Sequence, residues 1–154
     1  MDPNVSTHTL FEQGREHLEA GRADDALRCL RAAHERAPHH ARIRSWFGLA
    51  LARAARDFEG AVESCTSALK QEFFNPDLYY NAACVYLEFD FRADAVRCLR
   101  RGLMIAPSHP QTRSLLTELG ERQGPVLRFL PRGHRLNVWL GHARHRVQQA
   151  RSSA

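Results

Sequence analysis

Apolar and small residues recur along the chain at intervals of three and four, and short polar or turn-forming clusters interrupt them. Ala26, Leu30 and Ala33 form one such face, Ala61, Cys65 and Ala68 a second, and Ala95, Leu99 and Gly102 a third. Breakers stand between the periodic stretches at Gly21-Arg22, Arg56-Asp57, Asn75-Pro76 and Asp90-Phe91. The pattern predicts six helices, at about 7–20, 23–36, 41–54, 58–71, 76–89 and 92–105, each with one buried face. A further apolar face, Leu115, Leu116 and Leu119 opposite Thr117, Glu118, Glu121 and Arg122, predicts a seventh helix over about 109–122, with Gly124-Pro125 as its stop.

The faces are copies of one another. Ala26, Ala61 and Ala95 stand 35 and 34 residues apart, and small residues Gly14, Gly48 and Ala83 precede them by 12, 13 and 12. Pro38 and Pro107 follow the first and third alanine by twelve positions, where the second unit has Phe73. The first unit reads Leu10-x2-Gln13-Gly14-x2-His17…Ala26-x3-Leu30-x2-Ala33…Pro38. The second reads Arg44-x2-Phe47-Gly48-x2-Leu51…Ala61-x3-Cys65-x2-Ala68, and the third Tyr79-x2-Ala82-Ala83-x2-Tyr86…Ala95-x3-Leu99-x2-Gly102…Pro107. These units resemble the tetratricopeptide repeat (TPR) family, whose 34-residue unit is a helix–turn–helix. Gln13, His17 and Arg44 depart from its usual apolar positions, and the second unit holds one extra residue near Ala54–Asp57.

The resemblance implies an all-α fold, a right-handed TPR solenoid of antiparallel helix pairs, with the seventh helix covering the last apolar face. Three regions are expected: an N-terminal arm (1–6), the repeats with their capping helix (7–122) and a C-terminal tail (123–154). In this family the first helix of each repeat lines a concave groove that holds a peptide. By register this surface takes Phe11 and Arg15 from repeat one, Arg42, Ser45, Trp46, Leu49 and Arg53 from repeat two, and Tyr80, Asn81, Cys84 and Glu88 from repeat three. The alternative for each is packing against the next repeat, most of all for Trp46 beside Phe47. One TPR subclass clamps chaperone C-terminal carboxylates with two Lys, two Asn and an Arg. The matching positions here hold Phe11, Arg15, Trp46, Asp77 and Asn81. Only Asn81 is of a suitable type, on a different repeat, and Asp77 would repel a carboxylate, so chaperone tails are disfavoured. The implied partner is a protein or peptide, with an acidic or amphipathic segment suiting the mixed surface.

Charge changes the picture only at the C-terminal end. The chain's net charge is +5, yet residues 1–120 carry 15 Arg/Lys against 16 Asp/Glu, while 121–154 carry seven Arg against Glu121 alone. Within that tail, Pro125 to Pro131 reads as extended. A helix is expected at about 135–150, with Leu136, Trp139, Leu140, Ala143, Val147 and Ala150 on one face and Arg135, Arg144, Arg146 and Arg151 bordering it. Three roles stay open for it: extra capping, docking of a partner through Leu136, Trp139, Leu140, Arg144 and Arg146, or binding to an anionic membrane or nucleic acid.

Other chemistry is not signalled. No phosphate-binding glycine loop, dinucleotide fingerprint, H-E-x-x-H or G-x-S-x-G occurs, so no catalytic residue, cofactor or metal is expected. Cys29, Cys65, Cys84 and Cys98 form no C-x-x-C pair and read as buried thiols of a reducing compartment. His39-His40 read as a connector, and His142 with His145 lack a third ligand. The opening residues lack a basic and apolar leader, and no apolar run is long enough to span a bilayer, which points to the cytoplasm. Arginine- and alanine-rich usage with Lys70 as the sole lysine points to a GC-rich, bacterial genome. The function expected is that of a non-catalytic adaptor, with surface binding through the tail as the alternative.

Overall fold

The computed structural model describes residues 6–120. Their helices are α1 (Thr7–Glu19), α2 (Ala23–Arg36), α3 (Ala41–Ala50), α4 (Phe58–Gln71), α5 (Pro76–Glu88), α6 (Arg92–Ile105) and α7 (Pro110–Glu118). No strand occurs among the described residues, and none of their helices is long and apolar enough to cross a membrane. The expected tail helix, with Leu136, Trp139, Leu140, Arg144 and Arg146, lies outside the described residues.

Helix starts follow local chemistry. Ser6 accepts from Thr9 N–H (3.1 Å), Asp57 from Gly60 N–H (3.0 Å) and Asn75 from Asp77 N–H (3.2 Å), each satisfying a donor that the first turn leaves unpaired. Pro76 and Pro110 occupy first helical positions, where the missing N–H costs nothing. The turns inside the repeats are also copies. Gly21, Arg56 and Asp90 all take the left-handed conformation, with φ of 74°, 54° and 63°. In repeats one and three the residue after it closes the helix onto a carbonyl five residues back: Arg22 N–H to His17 O (2.8 Å) and Phe91 N–H to Tyr86 O (2.9 Å).

Repeat two differs by its extra residue. α3 is expected to run to about 54, but the α-helical ladder stops at Ala50 and Leu51–Ala55 forms a π-turn. Asp57 N–H therefore closes onto Leu51 O (3.3 Å), six residues back instead of five. A π-bulge takes up one residue without shifting either flanking helix out of register. That is why Gly48 still meets Ala61, 13 residues on, although the other two repeats space the corresponding pair by twelve.

The small positions are where helices cross. Ala26, Ala61 and Ala95 are fully buried, as are Leu30 and Leu99, with Cys65 at 1% exposure. A Cβ on Gly14 would lie 2.5 Å from Leu30 Cγ, and one on Gly48 would lie 2.9 Å from Ala61 O and 3.0 Å from Ser64 Cβ and Cys65 Sγ. Leu10, Phe11, Leu18, Ile43, Leu49 and Val85 continue the core between repeats. At its end Leu115, Leu116 and Leu119 of α7 pack against the cluster of Ala83, Ala95 and Leu99, and Arg92 Nη2 donates to Leu119 O at the close of α7. The apolar face that repeat three would otherwise expose is covered.

Two of the departures from the family pattern have local partners. His17 Nδ1 accepts from Arg22 Nε (3.0 Å). Arg44 sends Nη1 to Ser67 Oγ (2.5 Å) and Nη2 to Pro38 O, joining repeat one's last turn to α4. His34 stacks on Phe47 with centroids 4.9 Å apart, and burial lowers its pKa below the ordinary imidazole value.

Gly48→Ala separates packing from propensity. Alanine in a helix is favoured over glycine by about 1 kcal/mol, whereas forcing a methyl against the Ala61 backbone costs about 1–3 kcal/mol. Denaturant unfolding should show a net loss of stability; a gain would mean that the helices do not cross this closely.

Candidate functional site

α1, α3 and α5 are the first helices of the three repeats, and they stand side by side with α3 touching both others. Their shared face was expected to carry eleven candidate residues. Five of them are built into the stack: Phe11, Ser45, Leu49, Asn81 and Cys84 are at most 8% exposed. For these the packing alternative describes the side chain, because each A helix buries one stripe against its neighbour as well as another against its own B helix. Trp46, Arg15, Tyr80 and Glu88 are partly exposed, and Arg42 and Arg53 are exposed.

Six of the eleven, or atoms next to them, gather around two depressions that share Arg42. The first, about 130 Å³, is lined by Arg15, Glu19, Arg42, Trp46, Asp77, Tyr80, Asn81 and Gln111. The second, about 250 Å³, lies toward the start of α1 and α3 and is bounded by Thr7, His8, Phe11, Glu12, Ala37, His40, Arg42 and Ile43. Sequence reading left out Glu19 and Gln111, since they belong to a helix end and to the capping helix, which follows the repeats and lies outside the register used to map the groove.

The arginines differ in what they have left to offer. Arg15 is pinned by Glu12 (3.0 Å) and Glu19 (3.5 Å), and its guanidinium lies over the Trp46 ring at 5.2 Å. Arg53 donates to Glu88 (2.9 Å), which also pairs with Arg56 (3.6 Å), while Arg56 covers Phe89 at 4.7 Å. Arg42 lies over Phe11 at 5.5 Å and has no ion-pair partner among the described residues. Exposed pairs like these contribute little to stability, but they decide which charges a ligand meets unpaired.

Under the first depression sits a buried polar pair. Asn81 Nδ2 donates to Ser45 Oγ (3.2 Å), joining α5 to α3, and Asn81 Oδ1 has no hydrogen-bond partner among the described residues. Asn81 is 1% exposed and Ser45 0%. A buried acceptor left unpaired costs about 1–3 kcal/mol, so this atom is either a cost of the fold or a group held for something that enters the depression. Beside it, desolvation pushes the Tyr80 phenol up to about 12, with the neighbouring Cys84 adding to the shift, so it stays a neutral hydroxyl at physiological pH.

Asp77 closes the depression. Its Oδ1 accepts from His109 Nε2 (3.0 Å), and His109 Nδ1 accepts from Thr112 N–H (3.4 Å) and meets Thr112 Oγ1 at 2.6 Å. The order hydroxyl, imidazole, carboxylate is that of a nucleophilic triad. Here Thr112 is fully buried and the imidazole caps α7, so the array ties the capping helix to α5. No cluster of three or more metal-binding side chains occurs among the described residues. Of the four free thiols, Cys65 and Cys84 are buried; burial pushes Cys65 to about 12 and raises the other three.

Comparison with known proteins gives the same architecture. The family model of the tetratricopeptide repeat matches residues 11–76. No curated protein matches the chain. Among solved structures, the TPR domain of Arabidopsis OM64 is 16% identical, with a TM-score of 0.60 over 75% of this chain and 95% of that one. The first TPR of Spaghetti (RPAP3), bound to the HSP90 peptide SRMEEVD, is 18% identical with a TM-score of 0.59, covering 73% and 91%. YrrB, a TPR protein described as having an unusual peptide-binding site, is 21% identical with a TM-score of 0.61, covering 75% and 59%. With the three-fold copying of its helices, turns and crossing points, the described part of this chain has the fold of a tetratricopeptide repeat domain, three helix pairs closed by a capping helix, and residues 11–76 match that family's model.

Proposed function

We propose that the chain is a non-catalytic protein-interaction scaffold that holds a peptide segment of a partner protein against the face of α1, α3 and α5. The observation that carries this reading is the depression lined by all three repeats and the capping helix, with the buried Asn81 and its unpaired Oδ1 in its wall. A peptide supplies a backbone N–H for such an acceptor and buries apolar side chains on Trp46 and Tyr80, the residue types that dominate binding energy. Fold neighbours that bind peptides support the general mode. They do not carry over the ligand. At the positions of the chaperone-tail clamp Phe11 is buried, Arg15 is occupied by two glutamates, Asp77 is anionic, and Asn81 presents an acceptor. A terminal carboxylate would meet like charge there.

The test is capture of partners from the native cell by the wild-type chain and by Trp46→Ala/Tyr80→Ala, both checked for helicity. A partner bound through this face should lose at least about tenfold in affinity, about 1.4 kcal/mol. Equal capture by both would remove the groove from the account.

A second reading rests on the sequence alone: the seven arginines of 121–154 against one acid suit an anionic surface. Truncation after Gly124 removes six of them and takes the net charge from +5 to −1. On the scaffold reading, partner capture survives truncation. Salt-sensitive binding of the full chain to phosphatidylserine vesicles or duplex DNA that vanishes on truncation, with capture lost as well, would favour the surface reading instead.

A further inference from the structure

Arg42 and Asp77 occupy the same place on successive A helices, the second residue of α3 and of α5. Both line the depression above Asn81, and they do not pair with each other. Arg42 is held by the face of the Phe11 ring and is paired with no acid among the described residues. Asp77 gives one oxygen to His109 and keeps its side chain 47% exposed. A carboxylate has about four lone-pair sites, so a single imidazole leaves it free to take another donor. Opposite charges thus open onto one site, in fixed order along the axis of the repeats, while the other groove arginines are already neutralised by Glu12, Glu19 and Glu88.

Resting on the scaffold reading above, we infer that the occupant of the groove is an extended peptide carrying both signs of charge, with an acidic side chain at Arg42 and a basic one at Asp77. The geometry sets their spacing. Packed helices lie about 8–10 Å apart and an extended chain advances about 3.3 Å per residue, so the two charges stand roughly three residues apart. The backbone between them crosses the depression that Asn81 helps to line. A purely acidic segment satisfies Arg42 but brings its remaining carboxylates to Asp77. A purely basic one satisfies Asp77 but brings like charge to Arg42. The mixed segment leaves neither charge opposed, and like charges brought together are what discriminate against wrong partners.

Random peptides displayed on phage and selected on the full chain provide the probe. Selection on the wild type should enrich peptides with an acid and a base about three residues apart. Arg42→Gln should abolish the enrichment for the acid alone. Asp77→Asn, which keeps a hydrogen bond for His109, should abolish that for the base alone, with each variant weakening a wild-type-selected peptide by at least about tenfold. Arg42→Asp/Asp77→Arg should select the same pair in reversed order, with circular dichroism confirming that the helices persist. Enriched peptides that lack the charge pair, or that bind Arg42→Gln and Asp77→Asn as well as the wild type, would overturn this inference and leave the scaffold reading standing. Failure to enrich any peptide, or peptides indifferent to Trp46→Ala/Tyr80→Ala, would overturn the scaffold reading and this inference with it.

Discussion

Everything in this chain depends on how closely its helices can cross. Each repeat places a residue without bulk, Gly14, Gly48 or Ala83, against a partner on the following helix, and the two glycine crossings are too tight for even a methyl group without adjustment. That contact fixes the angle of each helix pair, and the pair fixes where the next one can stack. The stack then determines which side of α1, α3 and α5 remains for other use. The left-handed turns at Gly21, Arg56 and Asp90 and the π-turn of repeat two serve the same constraint, since they hold the copies in phase despite an inserted residue.

On that frame the polar groups of the groove fall into two kinds. Arg15, Arg53 and Arg56 are paired with glutamates within the chain, although Arg15 Nε is buried without a partner among the described residues, and Asp77 ties the capping helix to the last repeat through His109. Arg42 lies over Phe11 but has no acid partner, and the Oδ1 of Asn81 has no hydrogen-bond partner, among the described residues. An interior formed by apolar packing has no need of a buried amide between α3 and α5, where a leucine would fill the space without desolvating a polar atom. A group that lowers stability at the floor of an open depression fits a role in binding better than a role in folding.

The fold was legible in the sequence because repetition makes one weak signal into three. Ala26, Ala61 and Ala95 fixed the register, and the extra residue near Ala54–Asp57 was visible as a 13-residue interval. That it would become a π-turn, and not a longer loop, depends on the Leu51 carbonyl accepting from both Arg56 and Asp57, which no local pattern encodes. The groove was less legible. Register shows which positions lie on the shared face, but exposure depends on the neighbouring helix: Ser45 and Asn81 look like surface residues and are buried against each other, whereas Trp46 looks like core and is partly open. Pairing of the arginines is likewise decided across repeats, as with Arg53 and Glu88, 35 residues apart. Asp77 entered the sequence reading only as a mismatch to a chaperone clamp, and its bond to His109 became visible with the placement of α7.

The measurement that bears most directly on this account combines stability and binding in one variant, Ser45→Ala/Asn81→Leu. Replacing both partners of a buried hydrogen bond by apolar groups is close to neutral, and here it also removes the unpaired acceptor, worth about 1–3 kcal/mol. The account predicts a Tm equal to or above that of the wild type together with loss of affinity for a peptide selected on the wild-type chain. A lowered Tm with peptide affinity unchanged would show that Asn81 belongs to the fold and not to the site.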